Sequence, residues 1–268
     1  MDWSAPLVLM ILVLGLVAGF VAGFVGIGGG VVMVPVLLEV FRRWGLPADS
    51  VVQAAMATSL CVAVFATGSA IVRHHRQKRI LWRLVPYLIP GSMAGGWAAA
   101  RLATRLPGRA LQLVLAGLMT LAAIRMLTES EVKARPATTV VWWKGLLVGI
   151  MVGMVAGLSG LAGGIVLVPA LALLLGVHSG WLAGTSSAVI LWSALAAALG
   201  YLTASPPSPL GPGFTGYGGL PVAGLLAVTA IPGAQMGAWV NRRTRSLMFR
   251  RIFGIVLLAV VVRMVVSR

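Results

Sequence analysis

Two stretches of the chain share one pattern, GFVAGFVGIGGGVVMVP at residues 19–35 and GMVAGLSGLAGGIVLVP at residues 153–169. Five glycines and the closing proline of the first stretch each have a counterpart 134 residues later, beginning with Gly19 and Gly153. In a helix interior, glycine costs about 1 kcal/mol and proline about 3 kcal/mol relative to alanine. Because an apolar chain interrupts its helices twice in the same way, the pattern predicts a use for the interruption.

The composition is that of a membrane protein. Of the 268 residues, 59% are hydrophobic and 10% are charged, and the mean hydropathy is +1.00. Soluble domains carry about 25% charged residues, and apolar runs of about 20 residues, long enough to cross a bilayer, recur throughout. The sequence therefore predicts an all-α polytopic membrane protein, placed as a multi-pass protein in the inner (plasma) membrane of the cell.

The strong positive charge fits the same class. Lys and Arg number 21 against 5 Asp and Glu, a formal net charge of +16. These cations lie in short segments between apolar runs, where positive-inside retention and anionic headgroups account for them. We therefore expect membrane lipid and no nucleic acid as a partner. The sequence indicates no cofactor and no metal site, and it leaves open whether the protein forms a homo-oligomer.

Hydrophobicity predicts ten apolar segments, of which the second and seventh, at about 13 residues, have the length of half-helices. The segments are 6–27, 29–41, 51–72, 84–101, 109–127, 142–161, 163–176, 180–202, 219–240 and 249–267.

Further matches divide the chain into two homologous repeats. The segment ATSL at 57–60 matches GTSS at 184–187, and PGSMAGGW at 90–97 matches PGAQMGAW at 232–239. We expect one repeat at 1–127, a polar linker at 128–141 and a second repeat at 142–268, each with a re-entrant or discontinuous helix pair broken at the glycines.

The distribution of charge favours inverted repeats. If each broken segment enters the membrane and returns, the loops 73–83, 125–144 and 242–251 share one side, with 14 basic residues against 7 opposite. If each broken segment crosses instead, the two sides carry 11 and 10. The positive-inside rule therefore predicts inverted repeats with both termini outside.

The glycines have two uses. Glycines four residues apart, as at Gly19 and Gly23, form faces on which helices pack closely. Adjacent glycines cannot share one face, so Gly28, Gly29 and Gly30, and likewise Gly163 and Gly164, predict unwound turns. An unwound turn in a bilayer must line a protein cavity, and the helix that restarts there presents free N–H groups that favour anions. Paired interruptions of this kind indicate the midplane site of a transporter.

Polar side chains near the breaks are candidate ligands. Thr58, Ser59, Thr185 and Ser186 lie in apolar helices after each break, and Gln235 lies inside another. The hydroxyls could instead bond the carbonyls of their own helix, and the sequence leaves both readings open. His74 and His75 lie in a basic segment and are interpreted as facing headgroups.

The interior of the predicted spans holds no Asp or Glu. Proton or sodium pathways usually place carboxylates inside the membrane. Their absence therefore favours a negatively charged cargo.

The chain resembles the TauE/SafE family, also called the toluene sulfonate uptake permease family. The resemblance rests on GFVGIGGGVVMVP and GLSGLAGGIVLVP, with ATSL, GTSS, PGSMAGG and PGAQMGA, and covers essentially the whole chain. It implies transport of small sulfur-containing or organic anions such as sulfite, thiosulfate, sulfoacetate and sulfonates, without fixing cargo or direction. The motif glycines carried over by position are Gly26, Gly28, Gly29, Gly30, Gly160, Gly163 and Gly164. The second copy departs at Ala162, where the first has Gly28.

Two alternatives to a non-enzymatic carrier remain open. A channel for small anions fits the same features. A rhomboid-type intramembrane serine protease would use Ser159 of GLSG as nucleophile and His178 as base. However, the matching position of the first copy is Val25, so the repeat explains the glycines without the serine.

Overall fold

The computed structural model describes residues 5–26, 28–128 and 142–243, together with short pieces at 254–255, 258–259 and 261–262. Over these residues the chain forms nine helices and one two-stranded hairpin. They are α1 (Ala5–Val25), α2 (Gly30–Arg43), α3 (Val51–Arg76), α4 (Val85–Ala103), α5 (Gly108–Thr128), α6 (Trp142–Ser159), α7 (Gly164–Leu173), α8 (Ser179–Leu202), β1 (Phe214–Thr215), β2 (Gly218–Gly219) and α9 (Leu220–Arg243).

The helices agree with the predicted segments. Five of them are long and apolar enough to cross a membrane, namely Ala5–Val25, Val51–Arg76, Trp142–Ser159, Gly180–Leu202 and Leu220–Asn241. The second and seventh helices are short as predicted, at 14 and 10 residues. The tenth predicted segment, 249–267, and the linker at 128–141 lie largely or wholly outside the described residues. The prediction of an all-α polytopic membrane protein is confirmed.

Helices α1 and α9 run parallel and in close contact. Successive glycines of α1 face successive backbone positions of α9. Gly15, Gly19 and Gly23 meet Leu226, Ala230 and Ala234 in that order, with no room for a Cβ. Because both series rise together, the two helices point the same way. The prediction that these four-residue spacings serve close packing is confirmed.

Helices α4 and α6 form a second pair of the same kind. Glycines of α6 face successive positions of α4. Gly149, Gly153 and Gly157 meet Leu88, Ser92 and Gly96 in that order. The α6 glycines lie 134 residues after those of α1, and the α4 positions lie 138 residues before those of α9. The motif match of 90–97 with 232–239 has an offset of 142, which differs by four residues, about one helical turn, from the offset of 138 between the two sets of contact positions.

The centre of the molecule holds α3 and α8, which run antiparallel. Near the start of α3, the Met56 sulfur lies 3.7 Å from the hydroxyl of Tyr201, near the end of α8. Farther along α3, a Cβ on Gly68 would lie 3.9 Å from Leu191, which is earlier in α8. Helix α9 runs parallel to α3, because Thr58 of α3 contacts Gly219 and Ser69 contacts Ile231.

Helix α2 turns back alongside α1. A Cβ on Gly29, just before α2, would lie 2.5 Å from the carbonyl oxygen of Ala18 in α1. The first residue of α2, Gly30, lies beside Ser59 in the middle of α3. The last residue of α2 connects through residues 44–50 to the start of α3. Helix α2 is therefore antiparallel to α3. Since α1 and α3 both run parallel to α9, α2 also runs antiparallel to α1.

Candidate functional site

The first glycine turn is built from left-handed backbone. Gly26, Gly28 and Gly29 have φ of 76°, 86° and 72°. Residues with a side chain rarely adopt these values, whereas glycine does so freely. The turn ends α1 at Val25 and starts α2 at Gly30, so the predicted unwinding lies where the sequence placed it.

The second turn repeats this backbone although one glycine is missing. Gly160, Ala162 and Gly163 have φ of 69°, 58° and 78°. Ala162 thus takes the left-handed conformation of its counterpart Gly28, at a cost of about 1–2 kcal/mol for a residue with a Cβ. The second turn ends α6 and starts α7 at Gly164.

The two turns lie against each other in the interior. A Cβ added to Gly28 would lie 2.7 Å from the Cβ of Ala162. One added to Gly30 would lie 2.5 Å from the carbonyl oxygen of Gly160 and 2.9 Å from the Cα of Leu161. All five residues are buried. The described residues of both motif copies therefore form one cluster, which we call the paired turns, residues 26, 28–30 and 160–164.

Serine hydroxyls connect each turn to the opposite half of the chain. Ser59 of α3 donates to the carbonyl of Gly160 at 3.1 Å. Ser186 of α8 donates to the carbonyl of Gly26 at 2.9 Å. Both serines are fully buried. These bonds satisfy carbonyls that the helix ends leave without an intrahelical partner.

The neighbouring threonines bond the backbone just before α9 and just before α4. Thr58 accepts from the amide of Gly219 at 3.0 Å and donates to the carbonyl of Ala54 at 2.8 Å. Thr185 accepts from the amide of Leu81 at 3.1 Å. Among the described residues the Thr185 proton has no acceptor, so this hydroxyl is able to donate elsewhere. A ligand role for the four hydroxyls stays a prediction.

Gln235, the remaining predicted ligand, is not brought together with the paired turns. It lies on an exposed position of α9, while Gly233 and Gly237 of the same helix are buried against α1.

The electrostatics of the paired turns come from the backbone. The amides of Val32 and Met33 both bond the carbonyl of Gly29, so those of Gly30 and Val31 have no intrahelical acceptor. Helix α7 begins in the same way at Gly163. Two helix N-termini, each with a positive dipole end, therefore start from this cluster.

The buried side chains around the turns carry no formal charge of their own. Among the described residues, the buried polar side chains are hydroxyls, Gln53 and His74, with no buried Asp, Glu, Lys or Arg. Over the same part of the chain, no group of three or more His, Cys, Asp or Glu side chains is placed to hold a metal ion.

Sequence reasoning missed two residues that cap the broken helices. His74 lies fully buried in the last turn of α3, and its Nε2 is 3.2 Å from the carbonyl of Gly23. The interpretation of His74 as headgroup-facing is therefore wrong, because α1 and α8 cover it. Tyr201 donates to the carbonyl of Gly157 at 2.7 Å. The 127-residue offset between Thr58 and Thr185 also relates His74 to Tyr201, and this signal could have found the pair.

Two further contacts lie beside the capped ends of α1 and α6. Asn241 donates to the carbonyl of Phe24 at 2.7 Å and accepts from the guanidinium of Arg79 at 3.2 Å. At the other end, the rings of Tyr201 and Tyr217 meet edge to face at 6.2 Å. Burial raises the pKa of the Tyr217 phenol, which lies in the hairpin before α9, so its hydroxyl stays protonated at neutral pH.

The two residues of the protease alternative make unrelated contacts. The hydroxyl of Ser159 is buried, donates to the carbonyl of Val155 at 2.6 Å and accepts from the amide of Leu161 at 3.3 Å. His178 is exposed and caps α8 by accepting from the amide of Gly180 at 3.2 Å. Neither side chain has the geometry of a nucleophile and base in hydrogen-bond contact.

A polytopic helical protein whose two interrupted helix pairs meet at one buried place has the organisation of a membrane transporter. The profile of the family described as Sulfite exporter TauE/SafE matches residues 11–264. The chain therefore belongs to the TauE/SafE family.

Several relatives span nearly the same length. A probable membrane transporter protein of Haemophilus influenzae is 25% identical over 96% of this chain and 97% of its own length. The probable membrane transporter proteins YunE and YdhB of Bacillus subtilis are 25% and 26% identical, over 94% and 83% of this chain and 95% and 84% of theirs. No solved structure matches the chain significantly.

Proposed function

We propose that this transporter carries small sulfur-containing anions, of the sulfite, thiosulfate and sulfonate or sulfoacetate class, and binds them at the paired turns. The observation that carries the proposal is that two helices, α2 and α7, start at one buried cluster of glycine-rich backbone. Free amides and positive dipole ends favour anions, and a small oxyanion can accept several of these hydrogen bonds at once.

We further propose that the two halves are inverted repeats. In support, α3 and α8 run antiparallel although they occupy matching positions in the sequence pattern. The contact of Ser59 with Gly160 is also mirrored by that of Ser186 with Gly26. Inverted repeats are related by a two-fold axis that lies in the membrane plane. Two equivalent positions that touch each other must lie next to this axis, and so at the same depth as the axis. The contact between Gly28 and Ala162 therefore supports a position of the paired turns near the bilayer midplane.

The charge of the chain supports an anionic cargo. The acids within the described residues are Glu39 and Asp49, and neither is buried. A cation carried through the membrane would need buried carboxylates or a comparable set of oxygen ligands. The cargo class itself is inferred from the description of the family, which names sulfite.

Uptake into proteoliposomes tests the proposal. Purified protein should take up at least one of sulfite, thiosulfate and sulfoacetate with saturation, and an excess of the same anion inside should accelerate uptake by counter-transport. Protein-free liposomes are the control for leakage. Conductance that does not saturate would favour the channel instead. Absence of uptake of all three anions by protein that remains folded would contradict the proposed cargo.

The non-enzymatic role is part of the proposal. A fluorophosphonate probe, which labels activated serines, should leave Ser159 unmodified, because its hydroxyl proton is held by the Val155 carbonyl. Stoichiometric labelling of Ser159 would favour the protease.

A further inference from the structure

His74 is a buried imidazole with one nitrogen unused. Its Nε2 lies 3.2 Å from the Gly23 carbonyl, and a carbonyl can only accept, so Nε2 carries the hydrogen. The neutral ring then presents Nδ1 as an acceptor. This atom is buried and has no hydrogen-bond partner among the described residues. The ring is therefore able to bind one proton at a position that the fold leaves vacant.

Capping the end of α1 does not require an imidazole. At the matching position of the second half, Tyr201 caps the Gly157 carbonyl with a hydroxyl that stays neutral across the physiological range. Histidine is the side chain whose charge changes near neutral pH. Within the described residues, His74 is the one buried side chain of this type.

Within the part of the chain that the structure describes, no negative side chain contacts His74. Helix α1 contributes Gly23 and α8 contributes Gly184, while the uncharged Asn241 of α9 bonds Arg79. Arg79, whose amide donates to the His74 carbonyl at 3.0 Å, is a cation.

The other titratable groups nearby, on α3 itself, are Arg73, His75 and Arg76. Glu39 lies in the last turns of α2 and Asp49 lies just before α3, at the opposite end of α3 from His74. An imidazolium would thus lie among cations and amides, with no acid from the described residues to balance it.

An anion at the paired turns would supply the missing countercharge. His74 bonds the carbonyl of Gly23, three residues before Gly26, which is the first residue of the paired turns. Opposite charges attract more strongly where little water lies between them. Gln77, three residues after His74, also has a buried Oε1 without a partner among the described residues. This second acceptor without a partner therefore lies within about one helical turn of His74 along the chain.

We propose that His74 binds a proton together with the anion, so that proton and anion cross the membrane coupled. The inference rests on the proposed function above. On loading, Nδ1 accepts a proton from water on one side, and on release it returns that proton to water on the other side. No other bond is made or broken.

Direct observation of the ring tests the proton site. The chain has three histidines, so ¹³C-labelled histidine in nanodiscs gives three imidazole signals, assigned with His74→Gln, His75→Gln and His178→Gln. Saturating thiosulfate should increase the fraction of protonated His74 at a given pH, because linkage between proton and anion binding is reciprocal. A protonated fraction that saturating thiosulfate leaves unchanged would overturn the proposal.

Transport under a pH gradient tests the coupling. Thiosulfate keeps its charge between pH 5.5 and 8, so the gradient acts on the protein. Wild-type uptake into vesicles with an alkaline interior should exceed uptake without a gradient several-fold. His74→Tyr and His74→Gln, which retain a donor for the Gly23 carbonyl, should transport equally under both conditions. The exposed His75→Gln is the matched control and should respond like the wild type.

The outcomes separate the two proposals. A gradient response that persists in both His74 variants, or a wild type that transports without any response, would overturn proton coupling and leave the anion carrier intact. A wild type that neither binds nor transports thiosulfate would overturn the proposed cargo, on which the coupling rests.

Discussion

Gly28 and Ala162 occupy matching positions of the paired turns, but one carries a methyl group and the other does not. Gly28→Ala places a second Cβ 2.7 Å from that of Ala162. The change should destabilise the protein by about 1–3 kcal/mol through overpacking and by about 1–2 kcal/mol through the left-handed φ. We expect a clearly lower melting temperature in detergent.

The double variant is the control for this contact. Gly28→Ala with Ala162→Gly moves the methyl group from one turn to the other, so its melting temperature should return close to that of the wild type. Additive effects of the two changes would show that the turns do not touch as described.

Thr185 and Thr58 form a matched pair for testing the hydroxyls. Each accepts a hydrogen bond from a backbone amide, so Thr→Val removes one acceptor at either site. Of these two threonines, only Thr185 has a proton without an acceptor among the described residues, so it is able to donate to an anion. A hydrogen bond to a charged group contributes about 1.5–3 kcal/mol. Thr185→Val should therefore weaken anion binding by roughly 10- to 100-fold beyond the effect of Thr58→Val, measured by calorimetry. Equal losses in both variants would assign the hydroxyls to backbone capping.

Two glycines of α9 test how closely this helix packs against α1. In α9, Gly233 faces the backbone of Leu16 and Phe20, whereas a Cβ on Gly224 would meet open space. Gly233→Ala should lower the melting temperature because it forces α1 and α9 apart. Gly224→Ala should leave it unchanged or raise it, since alanine favours a helix by about 1 kcal/mol over glycine. Similar losses for both variants would argue against the α1–α9 contact.

The elements could be predicted because the signals that define them are local. The spans follow from hydrophobicity, and the paired turns follow from adjacent glycines such as Gly29 and Gly30. The correspondence of α4 with α9 could not be obtained in the same way. Small residues recur every four positions on both helices, so a slip of one turn preserves the motif while changing every contact.

The partners of polar side chains were the least predictable part of the site. The sequence placed Ser59 and Ser186 near the breaks but not against the turn of the opposite half, because such contacts depend on how α3 crosses α8. His74 was misread for a related reason. It stands in a run of basic residues, but the helix turns it inward while Arg76 and His75 face outward.

The whole molecule predicts a definite sidedness. Helices α3 and α8 run antiparallel, so the segments that follow them lie at opposite ends of the molecule. The positive-inside rule predicts that the Arg-rich segment, residues 73–83, lies inside. In a Cys61→Ala background, Ser205→Cys should react with an impermeant maleimide in intact cells. Arg83→Cys, which is also at an exposed position, should react only after permeabilisation. Labelling of both from one side would contradict the inverted arrangement.

The central claim is that an anion binds where the paired turns meet, and its position can be measured directly. Selenite, the selenium analogue of sulfite, scatters anomalously, so crystals of the protein soaked in selenite can reveal the site. We predict one anomalous peak within hydrogen-bond distance of the amides that begin α2 and α7, at Gly30–Val31 and Gly164–Ile165. A peak elsewhere, for example among the arginines of residues 73–83, in a protein that transports sulfite with saturation, would contradict the account.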